Sequence, residues 1–271
     1  MSRSIANLLA WTRERFPLSV YGPLVLLLEA ARMALAGRPG EALACRVGLA
    51  LFTLVALRLW DDLASADRDA RDHPSRVLPR ASSKRPFHAA AAAAGAGAAL
   101  LAASSPRRLA ILGALAAYYA CLYARDRARD HRTLAVSFGV LAKYPAIAAL
   151  LAAGDGALSA RGLVVLATVF ASFAVYEVAH DASVRRLPGA PLALRVAALT
   201  VIVGGIALAG LSVRSGLATA LLQGLAACAG AAAAVVVVRA TRGDCDPPAR
   251  LRWLPFVTTA TQLLFVAMWR P

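Results

Sequence analysis

Charge is scarce in this chain. Only 17% of its residues are charged, against about a quarter in a typical soluble domain, and 30 Lys and Arg outnumber 15 Asp and Glu. Cysteine is scarcer still. Cys45, Cys121, Cys228 and Cys245 are scattered with no C-x-x-C pair, so they read as small apolar packing residues and indicate neither a disulfide framework nor a zinc site. No His, Cys and Asp set has zinc spacing, and no Walker or dinucleotide-type glycine pattern is present. The apolar runs 89–103 and 226–238 lack period-two alternation, which excludes a β-barrel. Residues 2–17 are polar and basic, with no following short apolar stretch and small-residue cleavage site, so no cleaved signal peptide is expected. A surface-lying amphipathic helix using Ile5, Leu8, Leu9 and Trp11 suits that segment instead.

Long apolar runs are abundant. The 271 residues are 59% hydrophobic with a mean hydropathy of +0.62, and runs long enough to cross a bilayer recur along the chain. They fall near 19–36, 43–60, 88–105, 108–124, 133–153, 162–181, 192–211, 216–238 and 253–269. Backbone polar groups in lipid must be satisfied within the segment, so these runs are expected to be helices. The expected fold is an all-α integral membrane protein of about nine transmembrane helices. A basic cytoplasmic segment, 1–18, precedes one polytopic domain, 19–271. The frequent Ala and Gly suit close packing of helices in a bilayer.

The basic residues fix an orientation. With the N-terminus inside, 19 of them lie in inner segments: Arg3 to Arg15, Arg68 to Arg85, Arg125 to Arg132, Arg185 with Arg186, and Arg239 to Arg252. Only six (Arg38, Arg107, Arg108, Arg161, Arg214 and Arg270) fall outside. This positive-inside bias predicts a multi-pass protein, as in a bacterial inner membrane, with a cytoplasmic N-terminus. The inner loops would attract anionic membrane lipids and polyanionic substrates. A net charge of +15 would suggest nucleic acid in a soluble protein, but no soluble basic domain is present to bind it.

Intramembrane and membrane-edge acids are the best guide to function. Five of the fifteen lie between Asp61 and Asp72, at the end of the second run, and Glu177 and Asp181 end the sixth. On a helix Asp61, Ser65 and Asp69 share one stripe with Asp62 beside it, and Glu177 and Asp181 lie one turn apart. Carboxylates so spaced repel unless a cation joins them, and magnesium commonly bridges carboxylates to phosphate oxygens. Two such stripes could hold a diphosphate from both sides, with the metal acting as a Lewis acid on the leaving group. The plainer alternative is a solvated salt-bridge ladder over 67–72.

At these positions the chain resembles the UbiA-type intramembrane prenyltransferase superfamily. Its first signature, Asn-Asp-x-x-Asp-x-x-x-Asp followed by Pro-x-Arg-x-x-Pro, is similar to Asp61-Asp62-x-x-Ser65-x-x-x-Asp69 followed by Pro74-Ser75-Arg76-Val77-Leu78-Pro79. The second, Asp-x-x-x-Asp, matches Glu177-x-x-x-Asp181 in spacing, and Tyr123-x-x-x-Arg127 is a looser counterpart of Tyr-x-x-x-Lys. The chain departs in carrying Ser65 for the central Asp, Asp61 for Asn, and Glu177 for Asp. The resemblance implies helices around a central cavity open to the cytoplasmic leaflet. It further implies magnesium on Asp61, Asp62, Asp69, Glu177 and Asp181, binding a polyprenyl diphosphate whose ionisation gives an allylic cation for an acceptor to attack.

Among the basic groups, Arg58 and Arg76 are candidates for diphosphate oxygens, which guanidinium contacts bidentately. Arg58 is equally placed to pair with Asp62. Lys143, within an apolar run, either contacts diphosphate or an acidic acceptor, or snorkels or pairs with an acid. Tyr123 and Arg127 complete the candidate diphosphate contacts. Glu29 and Arg32 are spaced to pair, and His73 and His180 lie beside acids at helix ends. The leading reading is prenyl transfer to an aromatic or other lipid-soluble acceptor. A cyclase of the same fold that needs no acceptor, and a non-enzymatic transporter or scaffold, are the alternatives.

Overall fold

The computed structural model describes residues 3–36, 41–127, 133–212, 217–240 and 257–264, and among these there is no strand. Helices occupy eight of the nine expected runs, and the ninth is helical over its described part, 257–264. Among the described residues, four stretches are long and apolar enough to cross a membrane: Leu43–Ala64, Leu134–Leu151, Ala160–His180 and Ala190–Gly210. Others are less apolar for visible reasons. The Ala-rich helix Arg85–Ala102 opens on Arg-Pro-Phe-His, and Pro106–Arg127 carries arginines near both ends.

The chain divides into two compact units, Met1–Val25 with Glu41–Ala128, and Leu26–Gly40 with Arg129–Pro271. The first contains α1 (Arg3–Arg15), the start of α2 (Leu18–Ala36), α3 (Leu43–Ala64), α4 (Ala66–Asp72), α5 (Val77–Arg80), α6 (Arg85–Ala102) and α7 (Pro106–Arg127). Its main contact is α3 against α6. The two approach closely because one side of the contact is small: a Cβ on Gly97 would lie 3.1 Å from the Phe52 ring, and one on Gly48 3.2 Å from Leu101. At one end of this pair, Trp11, Leu59, Ala66, Leu78 and Phe87 form a buried cluster that joins α1, α3, α4, α5 and α6. Trp11 is thus turned inward, while Ile5 and Leu9 stay exposed. Of the four apolar residues expected to lie on the membrane surface, the largest instead packs within the unit.

The second unit contains the rest of α2, then α8 (Leu134–Gly139), α9 (Lys143–Leu151), α10 (Ala160–His180), α11 (Ala182–Arg185), α12 (Ala190–Ser212) and α13 (Leu217–Ala240). A 3-10 turn, Val140–Ala142, joins α8 to α9. Pro145, which has no N–H to give the Leu141 carbonyl, accounts for the local tightening. α10 packs on α12, and α12 on α13. Along α12, Leu192, Val196, Leu199, Val203 and Ile206 are all exposed and recur every three or four residues. Such a stripe of large aliphatic side chains is an aggregation liability in water and a natural face towards lipid.

The start of α10 is set by close backbone contact. A Cβ on Gly162 would fall 1.9 Å from the Gly156 carbonyl oxygen and 2.7 Å from that of Ala157, and Gly156 itself has φ +66°. Backbone cannot swing aside as a side chain can. Gly162→Ala should therefore destabilise the protein by about 1–3 kcal/mol, the usual cost of overpacking. Gly113→Ala, on α7 with nothing within 4 Å of the new methyl, should be neutral or stabilising by up to about 1 kcal/mol. Thermal denaturation of both variants in one detergent tests the contrast.

Candidate functional site

Asp61, Ser65 and Asp69 share a stripe only if the helix runs on past Ser65, and it nearly does. α3 closes at Ala64 and α4 opens at Ala66, with Ser65 at φ −97°, ψ 4° between them. Yet the Ser65 N–H donates to the Asp61 carbonyl at 3.0 Å, and the Asp69 N–H to the Ser65 carbonyl at 2.8 Å. The i→i−4 ladder crosses the junction, so the stripe keeps its register. Ser65 Oγ donates back to the Asp61 carbonyl at 2.9 Å, a bond within its own helix.

Asp62 is buried, at 2% exposure. Its Oδ2 accepts from Trp11 Nε1 at 2.8 Å and from Arg15 Nε at 3.0 Å, while Arg15 Nη2 reaches Oδ1 at 2.5 Å. This is a bidentate guanidinium–carboxylate pair with an indole N–H added. Arg58 lies between the two adjacent acids, Nε 3.5 Å from Asp62 Oδ1 and Nη1 3.6 Å from Asp61 Oδ2. The buried Tyr123 hydroxyl donates to Asp61 Oδ1 at 2.6 Å, and its ring packs edge-on against Tyr119. Tyr123 therefore orients a carboxylate, a role its pairing with Arg127 in the sequence did not suggest. Arg127 ends α7, and its side chain lies outside the described residues.

Further along, the charges pair between elements rather than as a ladder on one helix. Arg76, at the N-cap of α5, donates to Asp69 Oδ2 at 2.7 Å; Arg68 reaches Asp126 on α7 at 2.9 Å; and Lys84 meets the exposed Asp67 at 3.2 Å. Trp11, Arg15 and Asp126 were missed in the sequence. Asp126 sits three residues beyond Tyr123, so a helical reading of that segment puts both on one face. Nothing local marked Arg15 beyond its place in the last turn of an amphipathic helix.

In the second unit, Glu177 is half-buried in the last turn of α10, and the Asp181 N–H donates to its carbonyl at 2.9 Å. Asp181 caps α11, its Oδ1 accepting from Ser183 N at 2.8 Å and Ser183 Oγ at 2.6 Å. Arg185 donates to the Ala179 carbonyl at 2.7 Å, satisfying a carbonyl that the end of α10 leaves open. His180 is exposed and stacks on Tyr176. Lys143 is buried in the first turn of α9 with Nζ 5.2 Å from the Tyr144 ring, which stacks on Phe173. Glu29 and Arg32 pair at 2.9 Å, the plain reading of their spacing.

Among the described residues, no group of three or more His, Cys, Asp or Glu side chains comes together as a metal cage. Asp61 and Asp69 nevertheless offer what a hard cation takes, oxygen donors on one stripe. Magnesium is usually held by one or two carboxylates and completes its shell with phosphate and water, so a closed cage is not required.

Among the described residues the protein is all-α and of membrane type, with carboxylates and arginines paired at the end of one apolar helix. No family model matches the chain, and no curated protein matches it. Among solved structures it is similar to that of a digeranylgeranylglyceryl phosphate synthase in membranes, a UbiA-type intramembrane prenyltransferase, with a TM-score of 0.69 over 99% of each chain at 11% identity. The resemblance read from the acidic motifs is borne out at the level of the fold.

The Arg68–Asp126 pair gives a test of this arrangement. Asp126 is 5% exposed, and removing its cation leaves a nearly buried charge. Arg68→Met should cost about 2 kcal/mol of stability, below the range for fully buried pairs because Arg68 is partly solvated. Asp126→Asn in the same chain should restore at least half, read as a double-mutant cycle of thermal stability in detergent.

Proposed function

We propose that this protein is an intramembrane prenyltransferase that moves a polyprenyl group from its diphosphate to a lipid-soluble acceptor. In this reading the bundle has nine spans, with its N-terminus and the acidic end of α3 on the cytoplasmic side. The observation that carries it is the end of α3, where Asp61 and Asp69 stand on one stripe, each with an arginine against it. Carboxylates beside guanidinium groups suit a diphosphate that arrives with a divalent cation: arginines take phosphate oxygens, carboxylates take the cation. The fold likeness to a digeranylgeranylglyceryl phosphate synthase supports this reading, because the chains correspond over nearly their whole length.

Magnesium held by Asp61 and Asp69 would supply Lewis-acid stabilisation of the leaving diphosphate, and Glu177 and Asp181 at the end of α10 are further candidate cation ligands. The chain's own residues supply the rest. Arg58 and Arg76 would hand their charge to the diphosphate, and Tyr123 holds Asp61 in place. Lys143 and Arg127 are further candidate contacts for an anionic group. The allylic carbon–oxygen bond breaks with its electron pair leaving on diphosphate. The acceptor nucleophile then forms the new bond to carbon and loses a proton.

The test uses full-length protein in lipid nanodiscs with magnesium and labelled farnesyl or geranylgeranyl diphosphate. Acceptors would include glycerol phosphate lipids and quinone precursors. Acceptor-dependent diphosphate release and a prenylated product are expected, with EDTA abolishing both. Asp69→Asn should lower kcat/KM by about 10²-fold or more, the scale of losing an electrostatic stabiliser of the transition state. A cyclic hydrocarbon formed without acceptor would reassign the protein to cyclisation, and no diphosphate release under any condition would remove the isoprenoid reading.

A further inference from the structure

We infer that Asp62 is the anchor of the N-terminal helix rather than a cation ligand, and that α1 is a positioning element for the acidic end of α3. The inference deepens the reading above, since it reassigns one of the carboxylates expected to hold metal.

The geometry leaves Asp62 little to offer. Both oxygens are occupied, by Trp11 and both branches of the Arg15 guanidinium, with Arg58 closing on Oδ1. To ligate a cation, this nearly buried carboxylate would have to give up a bidentate pair, leaving the Arg15 charge and the indole N–H to find other partners. The adjacent Asp61 differs: its side chain is 22% exposed, against 3% for Asp62.

α1 also holds the other side of the motif. Glu14 Oε2 accepts from the Val77 N–H at 2.9 Å, where α5 begins. One turn of α1, from Trp11 to Arg15, therefore touches both the end of α3 and the start of α5. Between those points lie Asp69 and Arg76, joined at 2.7 Å. The cluster of Trp11, Leu59, Ala66, Leu78 and Phe87 fills the space beneath. The helix works as a strap across the segment 62–77, so its docking sets the separation of Asp61, Asp69 and Arg76.

The test uses full-length protein in nanodiscs and two readouts that need no turnover: hydrogen–deuterium exchange, and Mn²⁺ binding by electron paramagnetic resonance. Arg15→Gln and Asp62→Asn should each raise exchange over 4–15 and 66–80 by about tenfold, while exchange over 217–240 stays unchanged, as expected for local opening. Trp11→Phe, which keeps an aromatic ring in the cluster but loses the smaller ring of the indole with its N–H, should raise it less. Mn²⁺ affinity should stay within about threefold of the parent in Asp62→Asn but fall by about tenfold or more in Asp61→Asn and Asp69→Asn. Where prenyl transfer is measurable, Arg15→Gln should lower kcat with KM for the diphosphate little changed, and Arg15→Lys should recover part of the loss.

Unchanged exchange over both segments in Arg15→Gln and Asp62→Asn would overturn the inference. So would an Asp62→Asn variant that loses Mn²⁺ as Asp61→Asn does. If the parent binds no Mn²⁺ and releases no diphosphate, the metal and prenyl-transfer readings fall, and exchange alone decides whether Asp62 anchors the helix.

Discussion

A carboxylate taken out of water must be given a cation and hydrogen bonds; the effective cost of burying one unpaired is several kcal/mol. Asp62 is that carboxylate here. It stands at the end of an apolar helix with 2% of its surface exposed, and the donors within 3.0 Å of its oxygens come from outside that helix. Arg58, one turn back, reaches only to 3.5 Å. The remaining donors come from α1, and much of the first unit follows from that. The pairing of Arg15 with Asp62 brings Trp11 into the cluster with Leu59 and Phe87, and brings Glu14 to the first turn of α5. A helix amphipathic enough to lie on a membrane surface is instead committed to the protein.

The same logic runs through the neighbouring charges. Asp61, Asp62, Asp67 and Asp69 each have a basic partner, and Asp126 on α7 meets Arg68. An anionic substrate bringing its own cation can be received at such a place by exchange of partners. Arginines turn from carboxylate to phosphate and the vacated oxygens take the cation, so no net charge has to be created in an apolar setting. On the proposed function, this is why acids and arginines are interleaved over 58–76 rather than segregated.

Much of this was legible in the sequence. The apolar runs gave the helices, because lipid leaves a backbone few other choices, and the i, i+4 spacing of Asp61, Ser65 and Asp69 survives a junction that interrupts the helix only at Ser65. The pairs Glu29–Arg32 and Arg58–Asp62 are spaced three and four residues apart and were visible for that reason. Contacts between distant segments left no such mark. Trp11 read as a lipid-facing aromatic, since periodicity shows which residues share a face but not what that face meets. Asp126 was hidden in a basic run, and the Tyr123 hydroxyl, which bonds Asp61 at 2.6 Å, is 62 residues from it in sequence. The exposed stripe along α12 and the backbone contact at Gly162 likewise depend on three-dimensional neighbours.

The docking of α1 also bears on how the chain is made. Trp11 and Asp62 are 51 residues apart in sequence, and Glu14 and Val77 are 63 apart. Synthesis proceeds from the N-terminus at about 5–20 residues per second, so α1 emerges seconds before the groups that receive it. Until α3 is inserted and the segment through Phe87 has left the ribosome, Trp11 and Leu8 have no protein surface to cover. In that interval the bilayer interface is the natural place for an amphipathic basic helix to wait. Lipid association of α1 would then be a stage in biogenesis, and its transfer from lipid to protein would report that the first half of the bundle has closed.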